Sequence, residues 1–242
     1  MGTFVKICGI TSLEAALACA RGGADAIGFV FAKSRRRVSV AEAKRISLGL
    51  PGGLYRVGVF VDMRPDYVLE VAGEVCLTHL QLHGSESPAQ CEYLRDKGLP
   101  VIKALRVRNT ESLKRMASYD VDAFLLDSYV PRRVGGTGAM IDSDLLGRLG
   151  TGSPIIVAGG LDSGNVPPVI RVVRPYGVDV SSGVERNGVK AVDLILDFIR
   201  AVREAEVETG SPEDLPAGSV ARAQCHPRQS HDSTYTRKGE KA

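Results

Sequence analysis

From Phe4 onward, short apolar runs alternate with longer amphipathic segments, and the alternation repeats without interruption. The apolar runs are Phe4–Cys8, Ala26–Phe31, Tyr55–Val61, Thr78–His83, Val101–Leu105, Ala123–Asp127, Ile155–Ala158 and Gly177–Ser181. They read as strands buried on both faces. Between them, Ser12–Arg21, Val40–Leu48, Pro65–Val75, Pro88–Asp96, Thr110–Ser118, Asp142–Arg148, Val166–Arg174 and Asp193–Glu206 read as helices. The punctuation agrees. Pro65 and Pro88 suit a first helical turn, and Asn109 or Thr110 can cap the fifth helix. Gly22-Gly23, Gly73 and Gly98 close helices or open the turns that follow.

Eight strand–helix units in about two hundred residues is the arithmetic of a single-domain α/β protein, a (β/α)8 TIM barrel. A doubly wound open sheet would carry a glycine-rich phosphate fingerprint after its first strand. Cys8-Gly9-Ile10-Thr11 has none. The barrel is therefore expected over residues 1–206. Residues 207–242 mix proline, glycine, serine and charge without a hydrophobic period, and read as a disordered tail. Cys225, His226 and His231 fall in that tail, but no fourth ligand stands at a zinc-like spacing, so no metal is expected.

Composition narrows the picture further. The 242-residue chain is 44% hydrophobic, enough for a sizeable core. No apolar run reaches membrane-spanning length, and no secretory segment opens the chain. Its five cysteines (Cys8, Cys19, Cys76, Cys91 and Cys225) are odd in number and unpaired in spacing. That argues for free thiols in a reducing compartment, hence a cytoplasmic protein. A net charge of +3, without aromatic interleaving, does not suggest a nucleic-acid partner.

In a barrel, the residues just after each strand face one another across one rim, where the chemistry of this fold sits. The first strand brings Cys8 there, the fourth His83, the sixth Asp127. The seventh and eighth end in Gly159-Gly160 and Ser182-Gly183, small turns through which backbone N–H groups can approach a phosphate. Cys8 and Asp127 look like a base and an acid. A thiolate is a competent base, and an electropositive surrounding would raise its fraction. Asp127 must be protonated to act as an acid, so partial burial would have to raise its pKa. Lys6 shares the inward face of Cys8 one layer deeper, where a bare ammonium is costly. Strand eight adjoins strand one, so an ion pair between Lys6 and Asp179 is expected beneath the pocket. One arginine of the run Arg35-Arg36-Arg37 can grip a substrate carboxylate, and Ser128–Met140 reads as a mobile lid.

The chain resembles the phosphoribosylanthranilate isomerase family of tryptophan biosynthesis over Val5 to about Arg203. The matching motifs, in order, are KICGIT, GADAIGFVF, RVGVFV, QLHG, LLD, GGTG, AGGL and VRPYGVDVSSGVE. The resemblance implies an Amadori rearrangement of N-(5-phosphoribosyl)anthranilate without metal or cofactor. It makes Cys8 the general base, Asp127 the general acid and Arg36 the grip on the anthranilate carboxylate. His83 and Asp179 join Arg36 as substrate-binding positions, and Gly159, Gly160, Ser182 and Gly183 form the phosphate cradle. The partner implied is a small phosphorylated substrate, with neither nucleic acid nor membrane, for a monomer or homodimer. Ile141-Asp142-Ser143 departs from the phenylalanine–aspartate–tryptophan stretch often found after the lid. Two other readings remain: the related barrel isomerase of histidine biosynthesis, which usually has aspartate where Cys8 stands, and a non-catalytic phosphate-binding barrel.

Overall fold

The structure is a computed structural model that describes residues 2–107, 114–127 and 153–209. Eight strands close into a barrel in sequence order, every neighbour parallel, with β8 pairing back onto β1. They are β1 (Phe4–Cys8), β2 (Ala26–Val30), β3 (Tyr55–Phe60), β4 (His79–Leu82), β5 (Val101–Arg106), β6 (Ala123–Asp127), β7 (Ile155–Ala158) and β8 (Gly177–Val180). Among the described residues six α-helices surround them: α1 (Leu13–Gly22), α2 (Val40–Leu48), α3 (Pro65–Val75), α4 (Pro88–Asp96), α5 (Val166–Val173) and α6 (Val192–Thr209). The expected (β/α)8 barrel is the observed one. Of the segment expected as a fifth helix, Lys114 is helical and Arg115–Ser118 continues it as a 3-10 turn, while residues 110–113 lie outside the described residues. The expected helix Asp142–Arg148, the lid Ser128–Met140, the stretch Ile141-Asp142-Ser143 and the tail from 210 onward lie outside the described residues.

Local chemistry explains where the helices begin. Ser12 caps α1 by accepting from the Ala15 N–H, and Ser39 and Ser87 form capping boxes with Glu42 and Gln90. Pro65 and Pro88 stand in the first turns of α3 and α4, as read from the sequence. One reading fails. Gly73 lies within α3 and does not close it; Cys76 takes the left-handed cap conformation, with φ +56°. The last helix reaches Thr209, and Arg171 on α5 pairs with Glu208 near its end. No helix among the described residues is long and apolar enough to cross a membrane.

Alternation along the strands divides the core in two. Val5, Ile7, Ile27, Phe29, Phe60, Leu80, Leu82, Phe124 and Leu126 point outward and pack with the helices in one large cluster. Ala26, Val57, Ile102, Ala104, Ala123, Leu125, Ile156 and Ala158 fill the barrel interior. Each fully buried large aliphatic or aromatic side chain contributes about 1.5–3 kcal/mol relative to exposure. Aromatic rings occupy the end of the interior where the strands begin: Phe4 stacks on Tyr176 at 5.8 Å, and Tyr55 meets His79 edge-on at 4.7 Å. The filled interior leaves the opposite rim as the place for a ligand.

His79 makes that packing sensitive to acid. Burial pushes its pKa down from 6.5 to about 4. The unfolded chain therefore binds a proton at higher pH than the folded one. The stabilising effect of a neutral His79 is fully present above about pH 6.5 and fades as pH falls toward 4, by on the order of 3 kcal/mol. His79→Phe should flatten the fall of Tm between pH 6.5 and 4. An unchanged pH dependence would show that His79 does not control it.

Candidate active site

Cys8 ends β1 on the inner face, 8% exposed, with Lys6 one layer beneath it. Lys6 is wholly buried and its Nζ lies 2.7 Å from Asp179 Oδ1, which is the pair expected from strand alternation. The β1–β8 register puts the two residues side by side. The charge of Lys6 also acts on the neighbouring Cys8 thiol. Burial works against the Lys6 charge, but Asp179 and Cys8 more than offset it and hold the ammonium above its usual range. Gly28, next door on β2, makes room for this arrangement. A Cβ there would lie 2.9 Å from Cys8 Sγ and 3.2 Å from Lys6 Nζ.

Lys6 and Lys190 make the surrounding of Cys8 electropositive, but burial outweighs them and pushes the thiol up. Asp179, by contrast, turns its carboxylate to Lys6 and lies below the rim, with a side chain 9% exposed.

Arg36 crosses the turn after β1. Gly9, at φ +82°, gives it the space: a Cβ there would meet Arg36 Cδ at 2.6 Å. The guanidinium is forked onto Glu185, through Nε at 2.5 Å and Nη2 at 3.0 Å, while Arg35 Nη2 reaches the same carboxylate at 2.9 Å. Burial opposes the Glu185 charge, but Arg36 and Lys190 together draw its pKa down to about 2. Lys190 Nζ bonds Glu185 Oε1 and the Ser181 carbonyl, both at 2.8 Å, and Ser181 Oγ donates to the Cys8 carbonyl at 3.1 Å. Glu185 thus ties the arginine run, the end of β8 and the turn carrying Cys8 into one network.

Sequence reading assigned Glu185 and Lys190 no part. They face each other across a hairpin, β9 (Glu185–Arg186) with β10 (Val189–Lys190). Asn187 and Gly188 turn it, both at positive φ. Asn-Gly between two strands is a strong hairpin signal, and it was the available clue.

The turns after β7 and β8 touch backbone to backbone. Gly159 and Gly160 have φ +102° and +70°, and the Gly160 carbonyl accepts from Asn165 Nδ2 at 2.8 Å, just before α5. A Cβ on Gly183 would stand 1.9 Å from the Leu161 carbonyl oxygen. Ser182–Val184 forms a 3-10 turn there. Gly159, Gly160, Ser182 and Gly183 are therefore neighbours in one corner of the rim.

Asp127 ends β6, a third exposed, with His83 Nε2 3.4 Å from its Oδ2. The shift is opposite to the one that an acid role would require. The hydrogen bond from His83 outweighs burial and, with the charge of Arg106, holds the Asp127 carboxyl below the usual carboxylate range. Arg106 lies beside Asp127 in the β5–β6 register. Alternation along Val101–Arg106 would have placed it on the same face as Ile102 and Ala104. Behind the rim, buried Lys103 clamps the turn after His83, bonding the Gly84 carbonyl at 2.8 Å and Glu86 Oε2 at 2.7 Å. Glu86 in turn accepts from the Asp62 and Gly84 N–H groups.

A thiol, a carboxylate with its histidine, an arginine fork and a glycine-walled corner thus share one rim. The family model for N-(5'phosphoribosyl)anthranilate (PRA) isomerase matches residues 5–201, a span that holds every one of these positions. The chain belongs to this family. An N-(5'-phosphoribosyl)anthranilate isomerase from Desulforudis audaxviator is 48% identical over 205 residues, 84% of this chain and 99% of the relative. A phosphoribosyl anthranilate isomerase solved with reduced 1-(o-carboxyphenylamino)-1-deoxyribulose 5-phosphate is 40% identical, with a TM-score of 0.73. The match covers 84% of this chain and 99% of that one. A family member from Thermotoga maritima, described as dimeric and solved as monomers, is 39% identical with a TM-score of 0.71, covering 83% and 98% of the two chains.

Proposed function

We propose that this barrel catalyses the isomerisation for which its family is named. N-(5-Phospho-β-D-ribosyl)anthranilate becomes 1-(2-carboxyphenylamino)-1-deoxy-D-ribulose 5-phosphate, an Amadori rearrangement in tryptophan biosynthesis. Asp127 protonates the furanose ring oxygen, the C1′–O bond breaks, and the nitrogen lone pair forms a Schiff base. Cys8, as thiolate, removes the proton from C2′ to give an enolamine. That enolamine gains a proton at C1′ and loses one from the C2′ hydroxyl, leaving the aminoketone. An oxygen leaving group needs an acid and an acidified C–H needs a base, which suits the two residue types.

Other positions bind and orient the substrate. Gly159, Gly160, Ser182 and Gly183 receive the phosphate through backbone N–H groups at the corner where barrels commonly hold one. With Nε and Nη2 of Arg36 committed to Glu185, Nη1 is the guanidinium nitrogen left to meet the anthranilate carboxylate. His83, beside Asp127, and Asp179, paired with Lys6, are the other substrate-binding positions of this reading. The barrel is one catalytic domain, working in the cytoplasm as a monomer or homodimer, and the residues after it lie outside the chemistry. The observation that carries the proposal is the placement of Cys8 and Asp127 at the ends of β1 and β6, on the rim shared with the glycine corner.

Loss of phosphoribosylanthranilate fluorescence on mixing with the protein tests the activity directly. Turnover is expected. An inert protein that instead isomerises the phosphoribosyl intermediate of histidine biosynthesis would overturn the substrate assignment. The phosphate corner has its own test. Gly183→Ala must push the turn off the Leu161 carbonyl, and misplacement on the scale of 1 Å should lower kcat/KM by on the order of 10²-fold. Near-native kcat/KM in that variant would remove the corner from the site.

A further inference from the structure

We propose that Gln81 is a positioning residue that sets which nitrogen of His83 carries a proton, so that His83 can load Asp127 with the proton it delivers. The inference rests on the reading of Asp127 as the general acid. Gln81 lies on the inner face of β4, 1% exposed, two residues before His83. Its amide nitrogen stands 2.9 Å from His83 Nδ1. Its carbonyl oxygen is buried and has no hydrogen-bond partner.

The geometry has a chemical consequence. An amide N–H pointing at Nδ1 requires a lone pair there, so a neutral His83 carries its proton on Nε2, the nitrogen facing Asp127. Once the ring becomes an imidazolium, Nδ1 also carries a proton and needs an acceptor. A half-turn of the Gln81 amide exchanges its oxygen for its nitrogen and supplies that acceptor. The carbonyl is then satisfied and the amide nitrogen takes its former place, so the two orientations each leave one buried polar atom unpaired and the protonation state of Nδ1 selects between them. Aspartate or glutamate in this place would serve only a protonated Nδ1, and an aliphatic residue neither state.

Proton loading follows. The imidazolium passes its Nε2 proton to Asp127 Oδ2, leaving a neutral ring with Nδ1–H held by the Gln81 carbonyl. Asp127 passes that proton to the ring oxygen. Over a full cycle one proton leaves C2′ and one leaves its hydroxyl, while one arrives at C1′ and one at the former ring oxygen. No oxidant is involved. The loading step also answers why Asp127, alone, would be a weak acid-form carrier beside His83. Among the described residues, the charged groups near the ring include Asp127 from β6, Arg106 beside it on β5, Asp62, whose Oδ1 accepts from the Ser85 N–H, and Lys103, whose Nζ bonds the Leu82 and Gly84 carbonyls flanking His83 and is itself paired with Glu86.

The test is nitrogen-15 NMR of the imidazole in the full chain, with His83→Asn assigning the signal, for the wild type, Gln81→Met and Gln81→Glu. The wild type should show the Nε2–H tautomer when neutral. Gln81→Glu should show Nδ1–H and titrate at higher pH, and Gln81→Met should lose the preference. In turnover, Gln81→Met should lower kcat roughly tenfold with little change in KM, and the pH profile of kcat should move with the NMR titration. If Gln81→Met fails to fold, Gln81→Glu carries both readouts. The same tautomer in the wild type and Gln81→Glu overturns the inference. So does a controlled tautomer with a pH profile of kcat that does not move. Failure of the acid assignment itself would appear separately, as turnover retained by Asp127→Asn.

Discussion

Cys8→Ala is expected to lower kcat by about 10²–10⁴-fold, the usual contribution of a positioned general base, while leaving KM within a few-fold. The removed atom is the sulfur, and alanine fills the same backbone position on β1 without disturbing Lys6–Asp179 beneath it. The pH dependence adds a second signature. Burial holds the thiol above its usual range. The reactive thiolate is thus a minor species at neutral pH, and it is a stronger base for having a higher pKa. Wild-type kcat/KM should therefore rise with pH through the alkaline range, and the residual activity of Cys8→Ala should lack that rise. Turnover within a few-fold of wild type in Cys8→Ala would show that the base is elsewhere.

Asp127→Asn should cost a comparable factor for a different reason. Asparagine keeps the shape and can still hydrogen-bond His83, but it has no acidic proton to give the ring oxygen. The expected result is a fall of about 10²–10⁴-fold in kcat with substrate binding retained. His83 and Arg106 hold the Asp127 carboxyl low, so the unliganded protein carries it ionised at neutral pH. A variant that binds but does not open the ring fits the acid role. One that loses binding alone would make Asp127 a substrate contact.

Much of this was legible before any coordinates, and the reasons are physical. Strands buried on both faces leave uninterrupted apolar runs, so β1, β6 and β7 were bounded to the residue and the others to within one or two. Period-two alternation fixed the side of each strand residue, which is why Lys6 and Asp179 could be paired from positions far apart in the chain. Other features leave weaker marks. Gly73 looked like a helix end because glycine usually is one; the helix continues to Val75, and Cys76 takes the cap. Gln81 sits inside QLHG, yet a polar residue in a strand does not announce whether its amide is satisfied. The Glu185–Lys190 pair depends on two-residue strands, too short for any period to show. The direction of the Asp127 shift depends on His83, whose approach at 3.4 Å no spacing in the sequence encodes.

A crystal structure of this chain with the reduced aminoketone product tests the central claim most directly. The sulfur of Cys8 should lie in van der Waals contact with C2′ on one side of the sugar chain, about 3.5–4 Å away. Asp127 should hydrogen-bond the hydroxyl derived from the ring oxygen, and the phosphate should rest on the Gly160, Ser182 and Gly183 amides. A ligand whose C2′ is out of reach of Cys8, or whose phosphate binds away from that corner, would contradict the account.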